Sequence, residues 1–115
     1  MRSSLVALGL MFLVACTQNV TLPLLGSTPV EVNVREAQRH YTLAPGSEGH
    51  LLLERWLQRN KSGWSLYYVT APMCGVCVHA GDLGLNFLGG SVIAYRGSAM
   101  WTKAVEPSDY EFLKR

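Results

Sequence analysis

The residues best suited to chemistry are Cys74-Gly75-Val76-Cys77, with His79 two positions further on. Two thiols at this spacing can close a small disulfide ring, share a metal ion or run thiol exchange with another protein. In a strand, Cys77 and His79 fall on the same face, because side chains alternate with a period of two. Cys74, Cys77 and His79 then make three soft ligands, a weak metal alternative whose fourth ligand is unassigned. The bland reading is a structural staple at a strand entry, or two small core residues.

A thioredoxin-like reading has the right opening order of helix, apolar strand and Cys-x-x-Cys. Its chemistry needs a helix directly after the first cysteine, whose N-terminal dipole stabilises the thiolate. Val76, Val78, Gly81, Gly84 and the alternation through Phe87 predict strand instead. Only 38 residues follow Cys77, too few for the rest of that fold.

Other candidates carry less. His40, His50 and His79 have no carboxylate at motif spacing, and no nucleophile elbow announces a Ser-His-Asp triad. Asp82 follows Gly81 and reads as a turn residue. Asp109 and Glu111 read as solvated. Gly89-Gly90 separates two apolar runs and reads as a hairpin turn, with no Lys-Ser or Lys-Thr after it to make a phosphate loop. Trp56 and Trp64 read as core before ligand platform. No catalytic set emerges, and the chain is read as non-enzymatic.

These residues need a scaffold to hold them. The chain has 115 residues, 49% hydrophobic and 16% charged, which is globular composition for one domain. Val30, Val32 and Val34 alternate with Glu31 and Asn33 as a half-buried strand, and Tyr41-Thr42-Leu43 is a second short extended piece. Ser47 caps a helix that runs to Asn60, with Leu52, Leu53, Trp56 and Leu57 on one stripe. Gly63 is available for a left-handed stop. Strands are predicted over 65–70, 76–80, 83–88, 91–96 and 99–105, and Pro107 opens a last turn or short helix. The sum is an α+β domain, one amphipathic helix packed on a four- to five-stranded, mainly antiparallel sheet. The sheet's other face could carry Tyr67, His79, Tyr95 or Trp101, with the register left open.

The first sixteen residues have a separate logic. Arg2 supplies a positive start, Leu5–Val14 is apolar apart from Gly9, and Leu13-Val14-Ala15-Cys16 follows. The run is too short to span about 30 Å of hydrocarbon as a helix and reads as a secretory signal. Its last four residues resemble the lipobox of bacterial lipoprotein signal peptides. The resemblance implies cleavage before Cys16, diacylglycerol on its sulfur and an acylated amine. It also implies an outer-membrane address facing the periplasm, because Thr17 and not Asp follows the cysteine.

Residues 1–15 are then a signal peptide, 16–29 a lipidated tether in which Leu22, Leu24 and Leu25 could dock, and 30–115 the periplasmic domain. Just two cysteines remain to pair, and the exported setting favours oxidation. Ten Lys and Arg include Arg2, so nine stand against eight Asp and Glu in the mature chain, a net of +1. That balance argues against nucleic acid as a partner. Arg55, Arg59 and Lys61 are the one basic cluster and read as a solvated helix face. No cofactor is expected beyond the lipid. The expected role is an envelope protein that binds a protein partner, as an accessory subunit or an immunity or inhibitor lipoprotein. The rival is a small thiol-redox or metal protein using Cys74 and Cys77.

Overall fold

The computed structural model describes residues 17–70 and 72–115. The lipobox and Cys16 lie outside the described residues. The architecture is α+β, with one main helix packed against a single antiparallel sheet.

Seven strands make up that sheet: β1 (Val30–Val34), β2 (Arg39–Leu43), β3 (Ser65–Leu66), β4 (Val76–Ala80), β5 (Leu83–Leu88), β6 (Ser91–Arg96) and β7 (Ala99–Ala104). Their spatial order is β2-β1-β4-β5-β6-β7-β3. The four- to five-stranded expectation is therefore too low. It missed that the β1–β2 hairpin joins the β4–β7 meander edge to edge, Val32 opposite Val78. The connection that carries helix α1 (Glu48–Arg59) joins the two edge strands, β2 and β3, and lays the helix on one face.

The alternation decides which face. Val32, Val78, Leu85, Ala94 and Trp101 form one row of cross-strand partners, and Val34, Val76, Phe87 and Val92 form the next. Against them α1 buries Leu53, Trp56 and Leu57. Each such side chain contributes roughly 1.5–3 kcal/mol by leaving water. An aromatic chain runs through this core: Trp56 meets Trp64 and Phe87 edge to face, and Phe87 stacks on Tyr110 at 4.7 Å. Trp56 and Trp64 are thus core residues, as their sequence setting predicts. His50 completes the buried stripe of α1, its Nε2 2.8 Å from the Thr28 carbonyl. Ser47 caps the helix as expected, its hydroxyl accepting from the His50 amide.

Residues 17–29, expected to be a tether, pack on the domain along much of their length. Val20, Leu22 and Leu25 are buried, whereas Leu24 is exposed. Gln18 forms an antiparallel bridge with Trp64, and the Val20 amide donates to the Lys61 carbonyl. The C-terminal 3-10 segment Pro107–Lys114 buries Tyr110 and Leu113, and the Tyr110 hydroxyl donates to the Gly89 carbonyl at 2.8 Å.

One stretch departs from its predicted conformation. The strand expected over 65–70 ends at Leu66. From there the chain has to pass from the β3 edge to β4 in the middle of the sheet, and α1 already occupies the inner face. It therefore crosses the outer face as a loop, tied by the Tyr67 amide to the Met100 carbonyl.

Candidate functional site

The outer face carries the residues singled out for chemistry. Cys77, Asn86, Ile93 and Thr102 are cross-strand partners in one row, and His79, Gly84, Tyr95 and Met100 in the next. Cys77 and His79 share this face because β4 holds them at the predicted period of two. Trp101 points the other way and packs against the core, and Tyr67 lies in the crossing loop.

Cys74 and Cys77 are bonded to each other at the entry to β4, with their Cα atoms 5.7 Å apart. The chain continues from Cys77 as strand, so no helix dipole faces the pair. Cys74 Sγ lies 3.8 Å from the Asn33 carbonyl oxygen. That is a contact and not a hydrogen bond, because a disulfide sulfur carries no proton.

Two residues between and beside the cysteines set this geometry. Gly75 runs so close to β5 that a Cβ there would sit 2.5 Å from the Phe87 carbonyl oxygen. Asn86 is buried, and its side chain takes both roles open to it: Oδ1 accepts from the Gly75 amide at 2.9 Å, and Nδ2 donates to the Met73 carbonyl at 3.4 Å. It staples the loop end to the sheet, which a buried amide must do to offset its lost hydration. Asn86 did not figure among the candidate residues. The available signal was one polar residue amid Leu83, Leu85, Phe87 and Leu88.

Tyr95 lies flat across the sheet toward His79, with its hydroxyl 3.4 Å from His79 Nε2. It can do so because position 84 is glycine: a Cβ there would fall 2.0 Å from a ring carbon of Tyr95. Partial burial raises the Tyr95 hydroxyl above its ordinary pKa.

Together Pro72, Cys74, Cys77, His79, Tyr95 and Met100 line an open groove of about 480 Å³. A second hollow of about 440 Å³ lies at the end of β4 and β5, lined by Val34, Phe87 and Tyr110 with Arg35 and Lys114 among its polar residues. Cys74 borders both. Among the described residues no three His, Cys, Asp or Glu side chains are placed to hold a metal ion. Cys74, Cys77 and His79 are brought to one groove, but the two sulfurs are bonded to each other. His50 lies on the opposite side of the sheet in the core, and His40 is exposed on the edge strand β2.

Asp82, read as a turn residue, also pairs with Arg96 at 2.8 Å, and that hydrogen bond holds its carboxyl below the usual range. Arg55 and Arg59 stand on the exposed side of α1, as their spacing predicts. No helix among the described residues is long and apolar enough to cross a membrane. No protein-family model, curated protein or solved structure matches the chain.

Proposed function

We propose that this is a lipid-anchored envelope protein without enzymatic activity, whose outer sheet face binds a protein partner. One observation carries the reading. An antiparallel sheet with a helix on one side has no structural need to shape its other side. Here that side holds a groove with a disulfide rim, an aromatic wall, an imidazole and a thioether. Such a mixture of apolar surface and a few oriented polar groups suits a peptide segment of another protein. A lipid on Cys16 adds nothing to small-molecule chemistry, but it concentrates a binder where its partner works. An accessory subunit and an immunity or inhibitor lipoprotein both fit this design, with the outer membrane facing the periplasm as the location.

Site-specific photo-cross-linking in intact cells tests the reading. A photoreactive residue at position 79 should give one discrete protein adduct, and the same residue at position 59 on the exposed side of α1 should give none. Equal labelling at both positions, or none at position 79, refutes the groove as the binding face.

The second reading, thiol exchange, is favoured by the placement of the Cys74–Cys77 bond on the groove rim, with His79 on the same face. A partner dithiol would pass two electrons and two protons to that bond, becoming a disulfide while Cys74 and Cys77 become thiols. Thiol trapping on protein isolated from the envelope separates the two. A pair found oxidised and resistant to mild dithiol is a staple and supports the binding face. A pair that cycles readily makes the cysteines the centre of the function.

A further inference from the structure

The crossing loop after β3 is apolar where it meets solvent. Tyr68 is 84% exposed, Met73 66%, Val69 61% and Leu66 48%. Unlike the isolated apolar residues common on any surface, these four fall together, Leu66 at the end of β3 and the other three on the loop that follows. From Gly63 to Val78 the sequence carries no charged residue. The loop therefore presents apolar and tyrosyl tips with no charge among them, the composition that favours the interfacial layer of a bilayer.

The path of the chain supplies the second argument. Gln18 is bridged to Trp64 in antiparallel sense. Stepping back from Gln18 to Thr17 thus runs in the direction that leads forward from Trp64 to Ser65 and the loop. Cys16 is bonded to Thr17, and one residue of chain reaches at most about 3.8 Å. Thr17, the neighbour of Cys16 in sequence, consequently lies on the side of the bridge from which the apolar loop departs.

We propose that the loop bearing Tyr68, Val69 and Met73, with Leu66 at the end of β3, is a second membrane contact. It enters the interfacial layer of the bilayer that holds the acyl chains of Cys16, and so sets the domain's orientation at the surface. The proposal rests on the reading of Cys16 as a lipid site for the nearness of the bilayer. Pro72 lies on this loop and also lines the groove. The groove would then open beside the membrane, which restricts its partner to segments lying close to the lipid surface.

The test uses the mature protein extracted from the envelope, carrying Tyr68→Trp, in vesicles of phosphatidylethanolamine and phosphatidylglycerol with or without lipid brominated near the headgroup. The emission added to that of the parent protein should shift to the blue on reconstitution and lose intensity with the brominated lipid. Met73→Trp provides the same readout from the other end of the loop should the first variant fold poorly. Added emission that stays water-like and unquenched overturns the proposal. So does a blue shift that needs no vesicles and fades on dilution, since a second copy of the chain would then be covering the loop. The mass of the N-terminal peptide reads the anchor separately. An unlipidated chain that is still quenched keeps the loop contact and ends the anchor reading. A lipidated chain that is not quenched does the reverse.

Discussion

The two faces of the sheet are built from the same strands and differ in almost every physical respect. The inner face is a continuous layer of Val, Leu and Phe closed by α1 and by the 3-10 segment, and its aromatic chain ends on Tyr110. The outer face is covered only by a loop, and its buried positions include Cys77 and Asn86. Close packing makes the inner face intolerant, since removed atoms leave a cavity that neighbours fill only in part. The outer face has open space and one amide staple, so it can change shape at small cost. A single β-sheet thereby carries a close-packed face and an open, grooved face.

The sharpest break of that comparison is Trp56→Ala on the inner face. It should cost about 3–5 kcal/mol, read from the midpoint of urea unfolding, and a loss under half of that would show that the core is not where stability resides. Removal of the outer-face disulfide by Cys74→Ser with Cys77→Ser comes next. The loop it closes is very short, so the loss should be only about 2 kcal/mol, with circular dichroism unchanged at room temperature.

Gly84→Ala sharpens the contrast further. The new methyl overlaps the far end of the Tyr95 ring, and that ring can swing into the groove. Stability should fall by less than about 1.5 kcal/mol, while the NMR resonances of His79 move and partner cross-linking at position 79 weakens. An unmoved His79 would mean that Tyr95 does not shape the groove.

The smallest effect concerns the exposed Asp82–Arg96 pair. The carboxyl is held below the usual range in the folded state, so its contribution is present above about pH 3.9, the ordinary Asp value. It is lost as pH falls through the lower folded value. Asp82→Asn should therefore lower the thermal midpoint slightly at neutral pH and not at all in strong acid. Both partners are solvent-exposed, and screening keeps the difference small.

Much of the fold was legible from periodicity. Val30–Val34, the helix with its Ser47 cap, β4 through β7 and the Gly89-Gly90 turn all lie where hydrophobic spacing and turn chemistry place them. The misses have one origin. Tyr and Val in 65–70 have high strand propensity, but propensity carries no knowledge of where the chain must go next. Of the three leucines in the linker-like stretch that could dock, Leu22 and Leu25 find an apolar seat on the domain and Leu24 does not. His50 looked unattached because its partner, the Thr28 carbonyl, is distant in sequence.

The sequence by itself determined which residues alternate, where the turns fall and that Cys74 and Cys77 are close enough to pair, because each of these depends on neighbours within a few positions. It also placed Cys77 and His79 on one face, since strand geometry alone does that. Only the tertiary structure decided that the connection carrying α1 joins the two edge strands over the inner face, and hence that the chain after Leu66 crosses the opposite face. From that crossing follow the groove, the Asn86 staple and the exposed loop beside the bridge from Gln18. The physical reason is that one face of a sheet holds one layer, and the helix had already taken it.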